Sequence, residues 1–232
     1  MCTNYAPSSR DIAEQFVPLS RAEGLWPDEV YKDYKAPLIR RMIEGEGFEL
    51  LVGNYGFVPR AHMSPKFKIS TLNARSAEVG EKPTYARAWR ATQLCLLPTR
   101  HYYEWRYAPG AARPERWAIG MADGSDFCVA AIWRDWIAED GVVTSAFAQF
   151  TANADHHALL SQFHRPEDEK RGVVILPRDA YEDWLTCRDP EFARAMLQLL
   201  PAPLLTAWPA PKPSRKVGTT SFDAASSNGP KT

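Results

Sequence analysis

Gln93–Trp105 reads QLCLLPTRHYYEW, and how these residues are read decides the fold. Its leucines, aromatic residues and Thr99 suit a half-buried strand, while Pro98 removes a backbone donor and predicts two strand pieces divided at that point. Downstream, ERWAIGM (115–121), DFCVAAIW (126–133) and VVTSAFAQF (142–150) repeat the strand pattern at close spacing. The Asp-Gly pairs at 123–124 and 140–141 supply the tight turns between them. Upstream, FELLVGNYGFVP (48–59) is a strand ending in a turn marked by glycine and proline.

Past residue 150 the pattern changes. DHHALLSQF (155–163) predicts a helix, GVVILP (172–177) a strand, and RDAYEDWL (178–185) a further helix. PEFARAMLQLL (190–200) predicts another, with Asp189 as its cap and Pro190 at its first position. Near the start, Ser8 and Ser9 precede RDIAEQFV and can cap a short helix; Thr84 can do the same for YARAWRA. Strands of one region followed by helices of another give an α+β fold with a mostly antiparallel, barrel-like sheet. Pro209–Thr232, rich in proline, serine and lysine with one aromatic, is expected to be a disordered tail.

The 232 residues are 45% hydrophobic and 24% charged, an ordinary globular balance. No apolar run approaches the roughly 20 residues of a membrane helix, and the N-terminus lacks a signal-peptide pattern. A cytoplasmic location is expected. Net charge is zero but uneven: −3 over residues 1–59, +7 over 60–116, −7 over 117–208 and +3 thereafter. A bulk nucleic-acid binder would be basic throughout. Here only a groove built by the middle third suits phosphates. The cysteines, at 2, 95, 128 and 187, form no CxxC. Cys95 and Cys128 lie in apolar runs and read as core.

Cys2 lacks a packing explanation. Once Met1 is removed, its amine and thiol share one residue. With ordinary pKa values of about 8 and 8.5, both are partly nucleophilic at neutral pH. An amine converts an aldehyde to an imine, and a thiol two carbons away closes on it as a thiazolidine. In STLNARSAEV (70–79), Asn73 and Arg75 face the same side if the segment is a strand; otherwise Asn73 belongs to a turn. Arg75 offers a donor fork suited to phosphate. Glu104 lies within an aromatic run, where a carboxylate is costly to bury unless paired; it is either outward-facing or an acid–base group. His164 ends the apolar segment before a charged loop and can be a helix cap or a catalyst. His156 and His157 point to different helix faces with no third ligand, so no metal is expected.

In order, MC (1–2), YGFVP (55–59), NARSAE (73–78), LPTRHYYEW (97–105), FTANAD (150–155) and FH (163–164) ahead of VVILP (173–177) resemble the SRAP family, the SOS-response-associated peptidase-like proteins, over Cys2 to about Leu185. The resemblance implies a pseudo-barrel with flanking helices over residues 1–208 that binds single-stranded DNA at abasic sites and protects the lesion in the DNA damage response. It implies Cys2 as crosslinking nucleophile, Asn73 positioning the amine or sugar, Glu104 and His164 in proton transfer, and Arg75 on phosphate. No cofactor or metal is implied, and a monomer is expected, nucleoid-associated on DNA damage. Arg87, Arg90, Arg100 and Arg106 extend the phosphate track, with Tyr55 a base-stacking candidate. The sequence departs from the family pattern in three places: Tyr55 replaces a tryptophan, a tryptophan is missing from RAHMSPKF (60–67), and RPEDEKRG (165–172) is longer and lacks a usual proline. Competing readings are a cysteine peptidase or autopeptidase with Cys2 as nucleophile and His164 as base, an abasic-site lyase acting through the Cys2 imine, and a binding module without chemistry.

Overall fold

The computed structural model describes residues 2–64, 66, 69–108 and 110–212. In chain order the elements are β1 (Tyr5–Pro7), α1 (Arg10–Ala13), β2 (Leu19–Ala22), β3 (Lys35–Arg41), β4 (Phe48–Tyr55) and β5 (Asn73–Arg75). Then come α2 (Pro83–Arg90), β6 (Leu94–Arg106), β7 (Glu115–Met121), β8 (Phe127–Ile137) and β9 (Val143–Asn153). β10 (Arg171–Val173), α3 (Tyr181–Thr186), α4 (Pro190–Met196) and β11 (Leu205–Pro209) complete the order.

Five strands close on themselves: β3 pairs β4, β4 pairs β9, β9 pairs β8, β8 pairs β6, and β6 returns to β3. Only the β4–β9 seam in this ring is parallel. There Gly53 lets the backbones approach, because a Cβ would stand 2.9 Å from the Ser145 carbonyl. The remaining strands add to this barrel: β7 and then β11 on β6, β1 on β6, β2 on β4, and β5 and β10 on β9. The fold is the expected α+β barrel with flanking helices.

Alternation along the strands feeds two apolar cores. Cys128, Ala130 and Ile132 of β8 join Trp89, Trp184 and Ala193 from the helices. Phe127, Val129, Ala131 and Trp133 join Cys2, Tyr5, Ala154 and Phe163 on the other face.

Several local expectations change. β6 is one strand of 13 residues, not two split by Pro98. Residues 95–96 pair with β3 and residues 99–102 with β1, so the proline falls where the strand exchanges neighbours and its missing N–H is not needed there. Over 155–163 only a 3₁₀ turn forms, at Leu160–Gln162. The next residues, Phe163 in an extended and His164 in a left-handed conformation, bridge Arg106, which stops a helix from propagating. The first helix is a single turn ending at Ala13. α2 begins at Pro83 without a side-chain cap, so Thr84 is inside it. Asp189 does cap α4, accepting from the Glu191 and Phe192 amides. Pro209, expected to open the tail, closes β11; residues 213–232 lie outside the described residues.

Candidate active site

β1 carries the N-terminus into the interior. Tyr5 and Ala6 pair with Tyr102 and His101 of β6, and the Asn4 carbonyl accepts from the Tyr103 amide at 3.2 Å. The Asn4 side chain donates to Glu29 at 2.5 Å, and Arg116 and Tyr31 converge on the same carboxylate. This clamp fixes the chain two residues from Cys2, which is 1% exposed.

Two side chains then fix the Cys2 backbone. Asn73 Nδ2 donates to the Cys2 carbonyl at 2.9 Å and Gln149 Nε2 does so at 3.4 Å. Gln149 also donates to Asn73 Oδ1 at 2.8 Å, which orients the asparagine amide. The parallel β5–β9 register causes this meeting, since it sets Asn73 directly opposite Gln149. The segment holding Asn73 and Arg75 is therefore a strand, the open alternative of a turn being excluded.

Glu104 and His164 arrive from the other side. Both are buried, with His164 Nε2 3.0 Å from Glu104 Oε2. His164 has a φ of 68°, unusual for a residue with a side chain. Its amide donates to the Trp105 carbonyl at 2.8 Å, which holds it there. The Arg171 amide donates toward Nδ1 at 3.5 Å, which leaves Nε2 as the nitrogen facing the carboxylate.

Burial pushes the Cys2 thiol up to about 12, and the Glu104 charge adds to it. Burial likewise raises Tyr5, Tyr55 and Tyr102, with the Cys2 thiol a further cause in each and Glu104 one in Tyr55 and Tyr102. Cys2, these three tyrosines, Glu104 and Gln149 thus share one low-dielectric cluster.

A groove of about 610 Å³ opens beside Asn73, walled by Ile69, Thr71, Arg75, Lys82 and Tyr85. Arg75 reaches Glu78 at 3.1 Å and Glu169 at 3.4 Å, which ties the long loop after His164 to the groove wall. Tyr55 needs correction as a stacking residue: it is fully buried, its ring against Tyr5 and Phe147, and presents no face to a base. Trp105, next after Glu104 in β6, is exposed on the opposite face of the strand. Arg106 lies over the Trp117 ring and pairs with His164, next to the cluster. Arg100 lines a separate cavity with Ser9 and Trp26, and Arg90 is exposed at the end of α2. Gln149 was missed; a lone amide alternating within the apolar run AFAQF was its signal. Among the described residues no cluster of histidine, cysteine or acidic side chains could hold a metal, and no helix is long and apolar enough to cross a membrane.

Barrel and cluster together define a protein built around a buried cysteine at the second position, held by an amide pair and faced by a carboxylate and an imidazole. The chain belongs to the SRAP family: the family model for SOS response associated peptidase matches residues 1–218. Among similar proteins are Abasic site processing protein YoqW of Bacillus subtilis, 24% identical over 204 residues covering 85% of this chain and 87% of that one. YobE of the same organism, another Abasic site processing protein, is 24% identical over 203 residues, 85% and 88% of the two chains. A solved structure from Bordetella bronchiseptica is 28% identical with a TM-score of 0.79, over 90% of this chain and all of that one. Another from Bacteroides thetaiotaomicron, at 19% identity and a TM-score of 0.72 over 91% and 93%, shares the fold.

Proposed function

We propose that this protein processes abasic sites in single-stranded DNA by forming a covalent thiazolidine through Cys2 after Met1 is removed. The observation that carries the reading is the Asn73 amide on the Cys2 carbonyl, in a residue whose thiol shares a buried cluster with Glu104. Relatives named abasic site processing proteins support the substrate.

The ring-opened abasic sugar is an aldehyde. The freed Cys2 amine adds to its carbon, a proton moves to the oxygen, and water leaves to give an imine. The thiol then adds across the C=N bond, sulfur to carbon and a proton to nitrogen, so the net change is loss of one water. Glu104, whose charge acts on Cys2, and His164 in contact with it are assigned the proton transfers; such positioned groups contribute about 10²–10⁴-fold. A thiol raised to about 12 by burial is a poor first nucleophile, so the amine acts first. The same feature weighs against a thiolate peptidase, as does the orientation of His164 toward Glu104. Arg75 and Lys82 supply cationic groove walls, and Ile69 and Tyr85 apolar surface for unstacked bases.

Incubation with abasic single-stranded DNA followed by a denaturing gel tests the reading. A slower band is expected for the mature chain, none for Cys2→Ala, and a band forming about tenfold more slowly for Asn73→Ala. Equal crosslinking by Cys2→Ala would sink it. A cleaved strand on the same gel would report β-elimination from the shared imine.

A further inference from the structure

The groove beside Asn73 does not end there. Pro83 and Thr84 wall it and also wall a second cavity of about 320 Å³ that contains Arg87 and Arg134. Arg87 and Gln93 in turn wall a third, of about 360 Å³, that contains Arg188. The three lie next to one another along α2, each sharing wall residues with the next.

The middle section is built for an anion. The Arg134 guanidinium lies 4.0 Å from the centre of the Trp136 ring. That ring is itself fixed, its Nε1 donating to the Phe57 carbonyl at 2.8 Å and His62 resting against it at 4.9 Å. Arg134 is therefore held by stacking, which leaves its donor fork free. Among the described residues no carboxylate comes within ion-pair distance of Arg87, Arg134 or Arg188. The one acid on the cavity wall, Asp135, is committed to Arg40 at 3.2 Å and to Ser145 at 2.5 Å. Burial, and after it the neighbouring charge of Arg87, lowers the affinity of Arg134 for its proton. Two like charges brought together without a counter-charge are disfavoured until an anion joins them.

We propose that Arg87 and Arg134 bind the phosphates of single-stranded DNA that runs on from the lesion around α2. This rests on the reading that the strand enters beside Asn73, and it commits to a phosphodiester backbone because the walls carry several cations along a path and not one enclosed site. Arg87 was marked in the sequence as part of a phosphate track; Arg134 was not.

The test uses the full chain and oligonucleotides carrying a tetrahydrofuran abasic analogue, which has no aldehyde and binds reversibly. The arm on one side of the lesion is lengthened in steps, then the arm on the other, and Kd is measured across a salt series. For the unsubstituted chain, affinity is expected to rise with length on one side. In the double variant Arg87→Gln, Arg134→Gln, binding of the long oligonucleotide should weaken about tenfold. The log–log salt slope should fall by about 1.4, at roughly 0.7 per phosphate lost on a single strand. An unchanged slope, or the same gain with length in the variant, overturns the proposal. Should the double variant not fold, Arg87→Glu at an exposed position of α2 repeats the test. Crosslinking is scored separately with aldehyde-bearing DNA. Its absence alongside length-dependent analogue binding would bring down the thiazolidine reading and leave the track standing.

Discussion

Two buried polar clusters occupy this barrel, and they are built on opposite principles. At one, Arg40 donates to Glu49 at 2.8 Å and to Asp135 at 3.2 Å, Arg21 reaches the second Glu49 oxygen, and Ser145 closes on Asp135. The Arg40 guanidinium also stacks on Trp133 at 4.0 Å. Every carboxylate there has a cation. At the other, around Cys2, the Tyr5 and Tyr102 hydroxyls have no hydrogen-bond partner among the described residues, and His164 holds a left-handed backbone. A saturated network ties β3, β4 and β8 together. Unmet hydroxyls and a left-handed histidine instead cost stability at the second cluster.

The sharpest way to break this comparison is to unbalance the saturated cluster. Arg40→Ala would leave Glu49, 2% exposed, as a buried charge with only the half-exposed Arg21 beside it. The expected loss is about 3–5 kcal/mol of unfolding free energy, read by urea denaturation. A loss below about 1 kcal/mol would mean that this network is no more structural than the site.

The sequence made the strand content legible because apolar alternation and Asp-Gly turns are local signals, and both Gly124 and Gly141 adopt the positive φ those turns require. It misjudged Pro98 because whether a missing N–H matters depends on which strand lies alongside. The helix over 155–163 failed for a related reason: Phe163 and His164 are claimed by Arg106, some 57 positions earlier in the chain. At the site, Cys2, Asn73, Glu104 and His164 could be singled out by chemical type and by family order. Their meeting depends on the β5–β9 and β1–β6 registers, which no local pattern encodes. Tyr55 shows the limit in the other direction. Its type suits stacking on a base, but the strand places it inward.

A second test, smaller in effect, asks whether the Cys2 thiol is as sequestered as the comparison requires. Burial and then the Glu104 charge lift it from about 9 to about 12. A raised folded-state value favours the neutral thiol in the fold. Its contribution is fully present below about pH 9 and drains away as pH rises toward 12. Over that window the unsubstituted chain should lose stability more steeply than Cys2→Ala, by up to about 1.4 kcal/mol per pH unit. Cys95 and Cys128 are raised as well, but they are common to both chains and cancel in the difference. Parallel slopes for the two chains would place the thiol in contact with water and weaken the case that the amine reacts first.

The smallest effect expected is the most discriminating for the unsaturated cluster. Tyr5 packs edge-on against Tyr55 at 5.3 Å, while its hydroxyl is buried without a partner among the described residues. Removing that oxygen relieves an unmet desolvation cost and leaves the ring contact intact. Tyr5→Phe should therefore be neutral or stabilising by up to about 1 kcal/mol, measured by the same denaturation. The equivalent removal in the saturated cluster, Ser145→Ala, deletes a made bond to Asp135 and should cost about 1 kcal/mol. Opposite signs for two hydroxyls at similar depth would separate a group left unmet from one already used by the fold. Matching losses would show that the Tyr5 hydroxyl is bonded in solution, and the contrast between the clusters would then rest on the Tyr102 hydroxyl and His164.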